Sequence, residues 1–500
     1  MTEHNPASSD ISDGAAVTLA TEIRRLRNHA GLSQKQLAAQ VGYTRQYVAL
    51  AERVGGNLPS LELTLALDAR LAAGGRLLAL REQARAEQRS LRHALPPAPT
   101  GAQQLGFASP LSLAFPPADQ IGGSQFGISA PAGRFFAGST ITATSYPAVE
   151  DGRVLVHVPT GLANDPVLRR PGRSLVIGAA EGPTGPRLFG LDSRAARTRL
   201  TKAVNGAPLL IPDAYELDDL TLAVLWSVAN LDDALLDDDN ALAAAEEHLR
   251  GVDSTTRCAG GGDLAADLTA VSRMWLGSDF CARHILRHAD TLHEVPAFWT
   301  REQRGEESST WVLFAHKYDY LARTAATFAT TGVNPTRTFC IPPQTVTDSR
   351  RPERILLLLA VALMESFDIT VQVCAEPEYS SVTGFALDQR RRAIVANWVG
   401  HDGIWQVDVT DDRPALREFA DACGYAAAHS VIAGPTPPAR LRALADYLDL
   451  DWAWLTRRCA DLGDYGTAGL ARPRSRLLST AGLDNACRFL GGLSERNAEQ

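Results

Sequence analysis

The chain has 500 residues, 45% hydrophobic and 21% charged, with a formal net charge of −8. That balance excludes a disordered or fibrous protein, and the length exceeds what one hydrophobic core supports, so two or three domains are expected. The longest apolar run, Ile355 to Met364, is about half of the roughly 20 residues that a membrane span needs and suits a buried helix. The N-terminal Met-Thr-Glu-His-Asn-Pro offers neither a basic start nor a hydrophobic stretch, so no secretion signal is expected. Seven cysteines without a repeated spacing fit a reduced, cytoplasmic protein. Lysine occurs only at positions 35, 202 and 317, against many arginines, the codon bias of a GC-rich genome such as an actinobacterium's. Charge is unevenly divided. Residues 21–92 carry +6, residues 1–20 carry −3 and residues 93–500 carry −11, so a basic head precedes an acidic body.

After a tail over 1–18, a helix is expected from about Thr18 to Ala30, carrying Ile23, Leu26 and Arg27. Ser33 can cap a second helix, because its hydroxyl oxygen can accept from an amide that otherwise lacks a partner; Leu37, Ala38 and Val41 share one face of that helix. Gly42 ends it, since glycine enters the left-handed region without a side-chain clash. Thr44 repeats the start signal, and Val48 and Ala51 fall where they pack back onto Leu37 and Val41. Arg45, Gln46, Ala49 and Leu50 are left on the outer face. Pro59-Ser60-Leu61 opens a further helix with Leu61, Leu65, Leu67 and Leu71 as anchors, and an Arg, Glu, Gln and Ala-rich helix over 76–92 completes a unit spanning 19–92.

With its paired caps, turn glycine and outward Arg-Gln pair, the stretch 19–73 resembles the Cro/C1-type (XRE family) helix-turn-helix domain of bacterial and phage regulators. The resemblance implies double-stranded operator DNA as the partner. It implies that Gln34 contacts backbone and a base edge, that Arg45 and Gln46 begin the recognition helix, and that Glu52 closes it. Asn57, Pro59 and Ser60 match the family's loop into the fourth helix. Ser33 and Thr44 would orient helix N-termini toward phosphates. Two departures stand out. Ala49 and Leu50 replace the longer polar side chains common in the family and offer apolar contact to a thymine methyl, and Val54-Gly55-Gly56 lengthens the usual turn. A single small head discriminates weakly, so a homodimer built through the body is expected, with a small-molecule or protein effector as a further partner.

From His93 to about 135, prolines and glycines interrupt every periodic pattern, so a linker is expected. The body over 136–500 divides into a β-rich part (136–215), a helical part (216–330) and an α/β part (331–500). In the last, strands at 336–341 and 369–374 flank a helix at 353–367, the pattern of a parallel crossover; 392–399 and 404–409 form a hairpin. The fold class is therefore multidomain, an all-α helix-turn-helix domain followed by a large α/β or α+β body.

The body holds motifs that stop short of a known chemistry. Asp233 and Asp237 share a helix face and could bind magnesium, but no second acidic motif accompanies them, and Asp237 to Asn240 can instead cap the next helix. Cys281, His284 and His288 have a zinc-like spacing without an identifiable fourth ligand, and His316-Lys317 with Asp319 is too short for a phosphodiesterase-type set. The glycine-rich runs at 177–186 and 258–263 lack the helix start, lysine or hydroxyl of a phosphate loop, and Ser430 beside His429 lacks the glycines of a nucleophile elbow. No catalytic set, metal site or cofactor is identified. Trp398, His401 and Trp405, near the hairpin, are the candidate ligand-binding residues, with Trp275, Trp299 and Trp311 in the preceding helical region. A body acting as an enzyme, or as an antitoxin-like interaction partner tethered to a DNA-binding head, are the alternatives to a sensor.

Overall fold

The computed structural model describes residues 14–43, 45–53, 59, 61–93, 104–106, 123–151, 153–165, 168, 172–182, 186–204, 206–252, 258–260, 267–289, 292, 294–329, 332–388, 391–397 and 405–498. The chain divides into two units, residues 1–97 and 98–500. The first is all-helical among its described residues, with α1 (Ala15–His29), α2 (Gln34–Val41), α3 (Arg45–Ala51), α4 (Leu61–Arg70) and α5 (Arg76–His93). Leu19, Ile23, Leu37, Val48, Leu67 and Leu77 meet in a closed core. A bundle this small must bury nearly all its aliphatic side chains to be stable, and the helical spacing of these residues achieves it.

Helix α1 begins at Ala15, inside the stretch expected to be a tail. Glu87 of α5 accepts the Ala15 amide at 2.7 Å, supplying from across the bundle the acceptor that local sequence lacks. Asp68 serves α5 likewise, accepting the Gly75 and Leu77 amides at 2.7 and 2.9 Å.

The second unit opens with β1 (Gln104–Gly106), β2 (Ser124–Ala130), β3 (Ser139–Glu150), β4 (Val154–Val156), β5 (Ser174–Ala180), β6 (Arg187–Asp192), α6 (Ser193–Lys202) and β7 (Leu209–Ile211). Among the described residues these strands form a mixed sheet in which β3 pairs antiparallel with β2 and β4 and parallel with β5. The linker expected over 93–135 is thereby corrected at two places, since β1 and β2 both fall inside it. Phe126, Ile128 and Ala130 are all buried, a two-residue alternation that the surrounding prolines and glycines obscured.

There follow α7 (Asp219–Asp237), α8 (Asp239–Val252), β8 (Cys258–Gly260), α9 (Ala270–Ala289), β9 (Ala297–Thr300), α10 (Gly305–Leu313), α11 (Ala315–Phe328), β10 (Thr336–Cys340), α12 (Pro343–Asp348), α13 (Arg351–Glu365) and β11 (Thr370–Cys374). Then come β12 (Gly384–Asp388), β13 (Arg392–Asn397), β14 (Trp405–Thr410), α14 (Arg413–His429), α15 (Pro437–Tyr447), α16 (Trp452–Tyr465) and α17 (Ala481–Ala498). The second sheet runs β11-β10-β9-β12-β13-β14-β8, with β9, β10 and β11 parallel and the rest antiparallel. Strands β10 and β11 are the expected parallel pair, joined through α13, and β13 and β14 the expected hairpin. Strand β9 interrupts the region read as helical; at four residues, all buried, it shows no alternation to detect. Helix α13 is buried from Ile355 to Met364 and packs against α7, α10 and α17, in a core continuous with both sheets.

Buried ion pairs tie distant segments of this unit. Arg173 reaches Asp192 at 3.3 Å and Asp232 at 2.5 Å, and Asp232 also accepts the Arg474 and Ser475 amides. Asp233 accepts from the Ser139 hydroxyl at 2.5 Å, and Asp238 accepts the Thr269 amide at 2.6 Å. The acidic run thus holds its neighbours together. Among the described residues, no three His, Cys, Asp or Glu side chains are gathered as metal ligands.

Glu306 gives the second unit a pH dependence. Burial, with Glu353 and Glu307 nearby, pushes its carboxyl up to about 7, against the backbone amide of Phe135 that donates to it at 2.6 Å. A raised carboxyl favours the protonated folded state, so its contribution is complete below pH 4.5 and is lost as pH rises through 7. Glu306→Gln is expected to reduce the difference in unfolding free energy between pH 5 and pH 8 by about 2.5 kcal/mol. Equal pH dependence in both proteins would show that Glu306 is already ionised in the folded state at pH 5.

Candidate nucleic-acid interface

Ser33 precedes α2 in extended backbone, and its hydroxyl accepts the Gln36 amide at 3.2 Å while the Gln36 side chain accepts the Ser33 amide at 2.9 Å. Two amides that the helix itself leaves over are thereby satisfied by two side chains three residues apart. Gly42 ends α2 at φ +77°, its amide donating to Ala38. A side chain there would be held in the left-handed region, so Gly42→Ala is expected to cost about 1 kcal/mol in the first unit's stability. Unchanged hydrogen exchange across residues 34–51 would contradict that.

The turn throws α3 across α2, and Val48 and Ala51 drop into the core against Leu37 and Ala38. What fixes the angle is polar. Glu52, at the end of α3, is 1% exposed. Its carboxylate accepts from Arg27 Nε at 2.5 Å and Nη2 at 2.9 Å, a bidentate pair with α1. Gln34 Nε2, at the start of α2, donates to the same carboxylate at 3.0 Å. Arg27 also donates to the Leu32 carbonyl at 2.8 Å, and Arg24 donates to the Glu52 carbonyl at 2.6 Å. One buried carboxylate therefore fixes three helices relative to each other, and its hydrogen bond raises the Arg27 guanidinium's affinity for its proton.

Residues 18–81 match a family model described as a helix-turn-helix domain. This segment is a helix-turn-helix domain. No curated protein and no solved structure matches the chain.

Within the helix-turn-helix domain, Arg45 is exposed at the first position of α3, and Ala49, one turn on, is half-buried. Ser33 is exposed at the start of α2. Gln34 is half-buried at the start of α2, and its Nε2 hydrogen bond to Glu52 also braces α2 against α3. Thr44 lies outside the described residues, as do the side chains of Gln46 and Leu50. In the sequence Glu52 stands out only as a family match; the signal of a hub is a carboxylate at the end of a predicted helix together with an arginine on the inner face of the first helix. Of the candidate ligand-binding residues, Trp398 and His401 lie outside the described residues, and Trp405 opens β14 with its side chain undescribed. Among the described residues no helix is long and apolar enough to cross a membrane.

Proposed function

We propose that this protein is a sequence-specific transcriptional regulator that binds double-stranded DNA through its helix-turn-helix domain, with the body over 98–500 supplying dimerisation and effector sensing. The observation that carries the reading is the pairing of a rigidly braced helix pair with an exposed arginine at the head of its second helix. Direct readout needs a side chain delivered to a base edge at a fixed angle, and the Arg27–Glu52–Gln34 brace fixes that angle without using the outward face. The +6 charge of residues 21–92 beside the −11 of residues 93–500 favours docking through the head. In this reading Arg45 and Gln46 contact bases, Gln34 contacts backbone or a base, Ala49 or Leu50 meets a thymine methyl, and Ser33 and Thr44 face phosphates.

Genome-wide DNA capture with the full chain tests the proposal. The expected outcome is a small set of enriched sites sharing one two-fold motif, as a dimer would select. Enrichment that follows base composition alone, with no shared motif, would remove sequence-specific regulation.

A further inference from the structure

A cavity of about 60 Å³ opens in the second unit between α9, α10, α11 and the second sheet. Its walls hold Phe298 from the strands, Trp311 and Tyr320 from α10 and α11, and Ala282 and Ile285 from α9, while the Trp299 and Phe385 rings lie on the other face of the sheet with Phe419. Its charge is not balanced. Lys317, 3% exposed, has Glu302 at 2.9 Å and the Thr310 hydroxyl at 2.8 Å. Arg337 on β10, 4% exposed, has only neutral acceptors: Thr300 Oγ1 at 2.8 Å and the Tyr320 hydroxyl at 3.3 Å. Its guanidinium lies 4.5 Å from the Phe298 ring centre and 4.8 Å from that of Trp311. Among the described residues its Nε has no acceptor, and neither has Trp311 Nε1.

Arginine does not shed its proton inside a protein, so burial without a carboxylate leaves a cation whose hydration two hydroxyls and two rings replace only in part. Two buried N–H groups without acceptors, on two residues that both line the cavity, are the complement of an anion. A carboxylate would accept from both and neutralise Arg337, which has no carboxylate partner among the described residues. The apolar wall of Phe298, Ala282 and Ile285 would cover an apolar tail.

We infer that this cavity binds a small monocarboxylic acid, its carboxylate held by Arg337 and Trp311 and its short apolar tail lying against Phe298 and Ile285. The inference stands apart from DNA binding, since occupancy is read on the purified chain without DNA.

Ligand-observed NMR titration of the full chain with sodium butanoate, against butanamide as a neutral isostere, tests it. Saturable butanoate binding at least tenfold tighter than that of butanamide is expected. Arg337→Met should weaken butanoate at least tenfold without lowering the apo protein's unfolding temperature, because it removes an unpaired buried charge. Trp311→Phe keeps the ring and removes the second donor; it should weaken butanoate several-fold, and it carries the test if Arg337→Met does not fold. Equal binding of the two probes, no binding of either, or butanoate affinity unchanged in Trp311→Phe would overturn the inference.

Discussion

Glu52→Ala is expected to destabilise the helix-turn-helix domain by about 3 to 5 kcal/mol, because it leaves Arg27 buried without its anion and frees Gln34 at the same time. That is a large share of the stability a domain of this size has, so protection should collapse across α1 to α4 while the second unit keeps its own. Hydrogen exchange read by mass spectrometry on the full chain separates the two. Glu52→Gln retains an acceptor but not the charge, so its loss should fall between wild type and alanine. Protection in Glu52→Ala equal to that of wild type would show that apolar packing of Leu37, Val48 and Leu67 alone sets the angle of α3.

Arg45→Ala has the second large expected effect, on recognition and not on folding. Arg45 is exposed and takes no part in the brace, so its loss should leave thermal unfolding of the domain unchanged. A bidentate contact to a guanine is worth about 1 to 3 kcal/mol of discrimination, so affinity for a captured site should fall by that amount and base preference at one position should relax. A uniform loss across all duplexes, with a lower dependence on salt, would place Arg45 on a phosphate instead. The two variants divide the account cleanly: Glu52 presents the surface and Arg45 reads with it.

Local chemistry was readable from the chain and long-range chemistry was not. Ser33, Gly42 and the apolar spacing from Leu19 to Leu71 act within one or two turns, so sequence spacing is the interaction itself. The Arg27–Glu52–Gln34 brace spans up to 25 residues, and its partners are ordinary surface residue types whose burial becomes visible only when three helices meet. Helix α1 starts three residues before the expected Thr18 because its acceptor, Glu87, lies 72 residues away. In the body, the crossover through α13 was legible because ten consecutive apolar residues admit few other readings. Strands β2 and β9 were not, one masked by glycine and serine, the other too short for a period. The cavity assembles Arg337, Trp311 and Lys317 from β10, α10 and α11, three elements whose meeting no local spacing announces. Its chemistry is a matter of which charges end up without partners, and that is decided by tertiary packing.

The most direct test of the central claim is the affinity of the full chain for a duplex recovered by genomic capture, measured against a shuffled duplex of the same composition as salt is raised. The captured duplex is expected to stay at least a hundredfold tighter while both affinities fall with salt, and Arg45→Ala to narrow the gap between them. Indistinguishable affinities for the two duplexes, or no binding to either at low salt, would contradict it.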